Sequence, residues 1–227
     1  MKAKLYAWIS RLVVLASLNV AAIFIPFDHA RLPPGEIDFE PDGLEASVVS
    51  ASAQVPELDE FIAELQNGDS RQVVGIYAYP VFALRVVQQV PGDPAYVSAG
   101  IGQATQFGLA ARYGTTGLLA HYEYSGAYFF QLQVGQVIDL ILGDGTLRSY
   151  TVDSIRRVRA LNSTDPYSNF IDLNPDLSHP PEASPFSSTD LFYQVYAGGD
   201  RVVFQTCIPA YGNTSWGRLF VIATPTE

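Results

Sequence analysis

Seven short runs of branched and aromatic residues, separated by turn residues, fill the chain after Arg71 and constrain its fold more than any other feature. Each run is shorter than a typical helix and is bounded by Gly, Pro or Asp, a pattern typical of strands in a β-sandwich or β-barrel. The predicted strands are 72–77, 83–88, 117–121, 137–142, 148–155, 202–207 and 218–223. The body of the chain is therefore predicted to be mainly β.

One turn predicts a specific strand pairing. Gly143, Asp144 and Gly145 separate the fourth and fifth predicted strands. Glycine adopts the positive backbone angles of tight hairpins without steric cost, so these two strands should pair antiparallel.

Three helices and one long loop complete the prediction for the body. Helical spacing of apolar residues over 58–65 predicts a short amphipathic helix, and helices are also predicted at 102–113 and at 189–197, the last capped by Ser188. Residues 161–187 hold five prolines and no lasting periodicity, so they are predicted to form a loop and one wall of a binding groove.

The N-terminal part has a different character from the body. Lys2, Lys4 and Arg11 precede an uncharged apolar run over 12–25, which predicts that residues 1–27 are a signal peptide or an uncleaved membrane anchor, with the body on the extracytoplasmic face of the cell membrane. Residues 28–55 are acidic and rich in Pro and Gly, which predicts a tether. The folded domain is predicted to span 56–227.

Charge distribution argues against a nucleic-acid partner. The net charge is −10, and from Arg71 onward the chain has nine arginines, twelve acidic residues and no lysine. Such a surface offers no basic face for a phosphate backbone. The cluster of Arg156, Arg157 and Arg159 is interpreted as a solvated face without a function of its own, and the pair Asp139 and Asp153 as ordinary surface.

Cys207 is the only cysteine in 227 residues and follows an apolar run that ends in Thr206. A lone thiol in an exported protein is a buried spectator, an intermolecular cross-link or a nucleophile. A thiol nucleophile needs a base or a positive neighbour, and acyl transfer needs a donor for the developing oxyanion.

Two other residues are placed to complete such a site. His121 ends a predicted strand, whereas His29 lies in the tether and His179 in the long loop. Arg218 opens the last predicted strand, and antiparallel pairing of that strand with 202–207 would bring its guanidinium beside the sulfur. Taken alone, Cys207 is equally compatible with a structural role, and a structural role is the better interpretation of His121 or Arg218; only the combination favours a reactive site.

Three sequence blocks together resemble the sortase family. They are the apolar strand ending in Thr206-Cys207, the Arg-apolar-apolar-Val-x-Ala strand over 218–223, and Leu118-Leu-Ala-His121 followed by Gly126, Phe129-Phe130, Leu132 and Gly135. The resemblance covers about 71–223. Ala120 stands where the family usually has Gly, and Gln136 where it often has Asp, so the subclass stays open.

The resemblance implies a closed sortase-like β-barrel and a cysteine transpeptidase. Cys207 would attack a sorting-signal peptide to form a thioacyl enzyme that a primary amine resolves, His121 would act as general acid and base, and Arg218 would stabilise the oxyanion. Thr206 matches a family position that contacts substrate. Phe129 and Phe130 are predicted to pack in the core.

Other function classes stay open or are disfavoured. The chain has no zinc-ligand spacing, phosphate loop or Gly-x-Ser-x-Gly motif, so no metal or cofactor is predicted. A thiol peptidase would share the first half-reaction and differ only in using water. A barrel that binds peptides or envelope polymers without turnover is the alternative to an enzyme.

Overall fold

The computed structural model describes residues 55–165, 167–173 and 184–227. The predicted anchor (1–27) and the tether, apart from Val55, lie outside the described residues, as does His179. In the part of the chain that the structure describes, no helix has the length and apolar character needed to cross a membrane.

Nine strands form one sheet. They are β1 (Val73–Ala78), β2 (Phe82–Gln88), β3 (Gln103–Phe107), β4 (Thr115–Leu119), β5 (Val137–Leu142), β6 (Leu147–Ala160), β7 (Phe170–Asp172), β8 (Arg201–Ala210) and β9 (Asn213–Pro225). The helices are α1 (Leu58–Leu65), α2 (Gly108–Ala111) and α3 (Ser188–Tyr196), with a 3-10 helix at Ser125–Gln131.

The sheet closes into an eight-stranded barrel. Its strand order is β5-β1-β2-β3-β4-β8-β9-β6, and the β5–β6 pairing joins the two ends. Strand β7 is not part of the barrel and, among the described strands, pairs only with β6. The predicted hairpin at Gly143 to Gly145 is confirmed, since β5 and β6 pair antiparallel with Ile141 opposite Leu147. The prediction of a closed, mainly β barrel with a few short helices is therefore confirmed.

Apolar residues fill the barrel and also cover much of its outside. Strand β2 shows the reason: Phe82, Leu84 and Val86 alternate with more exposed residues, so one face of the strand fills the interior. In β8, by contrast, all residues from Val202 to Thr206 are buried. Its outward residue Val203 packs in a second cluster, which also contains α3 residues.

Two regular elements differ from the sequence prediction. The helix predicted at 102–113 is wrong: residues Gln103–Phe107 form β3, parallel to β2 and antiparallel to β4, and only Gly108–Ala111 is helical. The segment predicted as a continuous loop at 161–187 contains β7, which pairs with β6. Both errors have one cause, because pairing with neighbouring strands outweighs local propensity in short segments.

Helix α3 begins and ends one residue earlier than the predicted helix at 189–197. Ser187, not the predicted Ser188, caps the helix, because its hydroxyl accepts a hydrogen bond from the Asp190 backbone N–H at 3.1 Å. The Asp190 carboxylate accepts one from the Ser187 N–H at 3.2 Å in return. This reciprocal pair is a capping box and fixes where α3 begins against the barrel.

Candidate active site

Three neighbouring strands bring the predicted site residues to one level of the barrel wall. Cys207 on β8 and Arg218 on β9 are directly opposite each other in the antiparallel register. On the other side of β8, the parallel pairing with β4 sets Leu119 opposite Gln205, and the Ala120 N–H continues it by donating to the Gln205 carbonyl at 3.2 Å. The next residue, His121, is thereby the β4-side neighbour of Cys207.

The three side chains also share the outer face of the barrel. Side chains alternate between the two faces along a strand, and Leu119, Val203 and Phe220 belong to the outer apolar cluster. Each site residue is an even number of positions from one of these outer residues: His121 from Leu119, Cys207 from Val203 and Arg218 from Phe220. Each therefore falls on the outer face as well. Neighbouring strands lie about 4.8 Å apart and directly opposed Cβ atoms about 5 Å, so His121 and Arg218 each neighbour Cys207, one on either side of β8.

Their burial differs in a way that suits reaction at the sulfur. Cys207 is half-buried, whereas Arg218 keeps only 3% of its surface and His121 only 9%. The nucleophile candidate is therefore the member of the group most open to solvent, while the two flanking groups are held largely out of water. Electrostatic interactions are stronger in such a setting than in bulk water.

Backbone carbonyls hold the Arg218 guanidinium. Its Nη1 donates to the Ser215 carbonyl at 2.9 Å and to the Gly217 carbonyl at 2.8 Å, both on the same strand. These bonds solvate a buried cation with neutral acceptors. The residue that carries this cation is directly opposite Cys207 in the strand register.

A tight turn fixes His121 after β4. Its carbonyl accepts hydrogen bonds from the Tyr124 N–H at 3.0 Å and the Gly126 N–H at 2.9 Å, which begins the 3-10 helix. The ring of Tyr124 meets the imidazole edge to face at 6.1 Å between centroids. On the imidazole itself, Nε2 donates to the Val97 carbonyl at 3.3 Å.

Thr206 lies on the opposite face of β8 from Cys207. Its side chain is 3% exposed, and its Oγ1 has no hydrogen-bond partner among the described residues. Gly126 lies directly over it: a Cβ at position 126 would contact Thr206 Oγ1 and approach the His121 carbonyl oxygen to 2.6 Å. The structure thus brings Thr206 close to the His121 turn, but through the inside of the barrel wall.

Two features near the site were missed by sequence reasoning. Gln205, on the same face as Cys207, accepts a hydrogen bond from the Tyr196 hydroxyl at 2.5 Å, which ties α3 to the strand of the nucleophile. Complete burial raises the pKa of Tyr196 far above its ordinary value, so this hydroxyl stays a donor. The second is the Val97 carbonyl, whose contact with His121 has no signature in the residue types.

The remaining predicted residues lie in the barrel interior and on its outer wall. Phe129 is buried in the barrel interior and Phe130 packs against the same cluster, as predicted. Arg156 is not simply a solvated charge, because it forms an ion pair with Asp172 at 2.9 Å and lies over the Phe186 ring. Among the described residues, no group of three or more His, Cys, Asp or Glu could hold a metal ion.

Comparisons with known proteins give the following result. No protein-family model matches the sequence, and no curated protein matches it. Similar solved structures include sortase C1 from Streptococcus suis (12% identity, TM-score 0.45, covering 75% of this chain and 78% of that one). Sortase C-1 from Actinomyces oris has 15% identity and a TM-score of 0.43, with 78% and 85% covered.

A third similar structure is sortase A from Listeria monocytogenes, with 15% identity, a TM-score of 0.41, and 68% of this chain and 88% of that one covered. Because these TM-scores lie below 0.5, the likeness says nothing about the chemistry of this chain. The contacts of His121, Cys207 and Arg218 have to support any function assigned to it.

Proposed function

We propose that this chain is a sortase-like cysteine transpeptidase, which cleaves a sorting-signal peptide and transfers it to a primary amine. The observation that supports the proposal best is the direct opposition of Cys207 and Arg218 across β8 and β9, with His121 on the other side of Cys207. A thiol, an imidazole and a guanidinium at one level of one face are the groups that thioester chemistry requires.

The first half-reaction would form a thioacyl enzyme. Cys207 Sγ attacks the carbonyl carbon of the scissile peptide bond, and its proton passes to His121. The oxyanion that develops is stabilised by the buried guanidinium of Arg218, a permanently charged planar donor. The C–N bond then breaks, and His121 protonates the leaving amine.

The second half-reaction would return the enzyme to its starting state. An amine acceptor attacks the thioester carbonyl while His121 removes its proton, so a C–N bond forms and the C–S bond breaks. The Cys207 sulfur leaves and regains a proton. Water in place of the amine would give hydrolysis, so the acceptor decides between transpeptidase and peptidase.

The remaining predicted assignments belong to the same proposal. Thr206 is proposed to contact the substrate next to the nucleophile; because its hydroxyl lies beneath Gly126, a side-chain contact would require the Ser125–Gln131 helix to shift. Membrane attachment through residues 1–27, a tether over 28–55 and a catalytic domain over 56–227 would place the reaction on the extracytoplasmic face of the cell membrane.

A thiol-labelling experiment tests the core of this proposal. The full-length protein is treated with methyl methanethiosulfonate at neutral pH, and intact mass follows adduct formation on the single thiol. We expect rapid labelling of the wild type, slower labelling of His121→Ala, and none of Cys207→Ala. Labelling that occurs only after denaturation would make Cys207 a core residue and overturn the proposal.

Acyl transfer is tested separately with a library of sorting-signal peptides and hydroxylamine as a small amine acceptor. We expect at least one peptide to give a thioacyl adduct on Cys207 by mass, which hydroxylamine converts to a peptide hydroxamate. A protein that labels rapidly but forms no adduct with any peptide would instead favour a barrel that binds without turnover.

A further inference from the structure

The peptide unit between Val97 and Ser98 lies between two hydrogen bonds. On one side, the Val97 carbonyl accepts from Nε2 of His121 at 3.3 Å. On the other, the Ser98 N–H donates to Oγ1 of Thr105 at 2.8 Å. Since a peptide unit is planar and trans, its C=O and N–H point in opposite directions. Holding the N–H at Thr105 therefore aims the C=O at the imidazole.

Thr105 is well placed to fix this peptide. It lies on β3 with no exposed surface, directly opposite Leu119 of β4, and His121 follows two residues after Leu119. Thr105 shares the outer face with His121, because Phe107 two residues further on belongs to the outer cluster. A strand residue is a more rigid support than a loop residue. Thr105, on a strand, accepts the hydrogen bond that holds the Val97–Ser98 peptide of the loop between β2 and β3.

Independent contacts hold the rest of that loop. Ser98 Oγ donates to Gln103 Oε1 at 2.6 Å and accepts from the Gly100 N–H at 3.1 Å. Nearer β2, the Gln89 amide nitrogen donates to the Pro94 and Tyr96 carbonyls at 2.7 and 3.3 Å. The side chains of Ser98 and Gln89 hold the loop as a whole, whereas the side chain of Thr105 orients the Val97–Ser98 peptide. Substitutions can therefore test the two effects separately.

We propose that Thr105 is a positioning residue for His121, acting through the Val97–Ser98 peptide. A carbonyl oxygen can only accept, so Nε2 carries the proton of the neutral imidazole in this arrangement. Hydrogen bonds at both ends of one peptide also polarise each other, which strengthens the contact to the imidazole. The inference rests on the proposed function in one respect: His121 would then exchange its proton with Cys207 and the amine through Nδ1.

Nuclear magnetic resonance of the full-length protein labelled with ¹⁵N-histidine tests the proposal. Long-range ¹H–¹⁵N correlations identify the tautomer of each neutral imidazole, and the spectrum of His121→Gln assigns the signals of His121. Thr105→Val removes the acceptor for the Ser98 N–H, Thr105→Ser keeps it, and Ser98→Ala removes only the tethering bonds of the Ser98 side chain. If Thr105→Val does not unfold cooperatively, Thr105→Ala, which adds no methyl group, replaces it.

We expect the Nε2–H tautomer in the wild type, in Thr105→Ser and in Ser98→Ala, and a substantial Nδ1–H population in Thr105→Val. The alkylation rate of Cys207 by iodoacetamide should fall about fivefold in Thr105→Val alone, the size expected from losing one neutral hydrogen bond. An unchanged tautomer in Thr105→Val, or an equal change in Ser98→Ala, would overturn the proposal.

One combination of results separates this inference from the proposed function. If Thr105→Val shifts the tautomer but leaves the alkylation rate unchanged, Thr105 does position His121, while the pairing of His121 with Cys207 is wrong. If both measurements change together, the two proposals support each other.

Discussion

At the scale of single residues, the candidate site depends on how a buried guanidinium is solvated on the strand that pairs with the strand of Cys207. Arg218 is 3% exposed, and its guanidinium donates to two carbonyls of its own strand instead of relying on solvent. Carbonyl partners offset part of the cost of desolvating the charge without neutralising it. In the proposed reaction, this charge would stabilise the oxyanion that develops during attack by Cys207.

Arg218→Lys separates charge from geometry. Lysine keeps the positive charge, but its ammonium lacks the rigid planar fork and is more strongly hydrated. We expect the rate of thioacyl formation with a sorting-signal peptide to fall on the order of 100-fold, the effect of losing an oxyanion donor. Labelling of Cys207 by methyl methanethiosulfonate, which develops no oxyanion, should change little. If the rates of thioacyl formation and of Cys207 labelling fell equally, Arg218 would have a structural role in the site and not a role in stabilising the oxyanion.

Gly126 is required by close approach of chain segments. A Cβ there would contact Thr206 Oγ1 and lie 2.6 Å from the His121 carbonyl oxygen and 2.8 Å from that of Ala120. We expect Gly126→Ala to lower the free energy of unfolding by about 1–3 kcal/mol, as overpacking does, and to slow Cys207 labelling by displacing His121. Urea unfolding and the labelling assay measure the two effects.

Gly108→Ala provides the matched control for Gly126→Ala. A Cβ at this position meets only Gln89 Oε1, at an ordinary 3.5 Å. This variant should keep the labelling rate of the wild type. If Gly126→Ala labels at the same rate as Gly108→Ala, the turn does not position His121.

The residue types explain why part of the site could be predicted and part could not. Cys207, His121 and Arg218 are chemically distinctive, and the pattern of apolar residues predicts the strands that position them, although β8 continues past Cys207 to Ala210 and β9 begins before Arg218, at Asn213. The Val97 carbonyl carries no such signal, because every residue has one. Its contact with His121 depends on the path of the loop after β2, which propensity does not determine.

At the scale of elements, the seven predicted strands are all present, because their branched residues pack both inside the barrel and against its covers. Strand β3 was missed because Gln103 to Phe107 contains residues compatible with a helix, and only pairing with β2 and β4 makes it a strand. Because this segment was predicted as a helix, Thr105 was not recognised as a strand residue that holds the Val97–Ser98 peptide.

Arg156 joins three elements on the outer wall. From β6 it forms an ion pair with Asp172 on β7 at 2.9 Å, donates to Gln194 on α3 at 2.7 Å, and lies 5.0 Å from the centroid of the Phe186 ring. Arg156→Met keeps the aliphatic stem but loses all three contacts. We expect the free energy of unfolding to fall on the order of 2 kcal/mol in urea titrations.

Arg159→Met is the control for Arg156→Met, because Arg159 is an exposed arginine on the same strand and has none of these three contacts. It should unfold within about 0.5 kcal/mol of the wild type, as surface substitutions usually do. Equal destabilisation by the two variants would mean that the loss reflects charge in general and not the junction of β6, β7 and α3.

At the scale of the whole molecule, closure of the barrel is supported by a contact between distant parts of the chain. Tyr150 of β6 is 3% exposed, and its hydroxyl donates to the Asp200 carboxylate at 2.8 Å, just before β8 begins. Burial, followed by the bond to Asp200, raises the pKa of Tyr150 to about 12. The contact therefore links barrel stability to pH.

The direction of this dependence follows from the two pKa values. The unfolded state releases the Tyr150 proton near pH 10, whereas the folded state holds it until about pH 12. Folding is thus stabilised by this group below pH 10, and the contribution is lost as pH rises through that window. Tyr150→Phe cannot titrate, so its stability lacks this part of the dependence.

We expect Tyr150→Phe to be less stable than the wild type at pH 8, because it loses the bond to Asp200. Between pH 10 and about 12 the difference in free energy of unfolding should narrow, on the order of 2 kcal/mol, since only the wild type loses the Tyr150 contribution. Urea titrations of both proteins at several pH values measure the difference, and the other tyrosines titrate equally in both. A difference that stays constant across this range would show that Tyr150 does not couple barrel closure to pH.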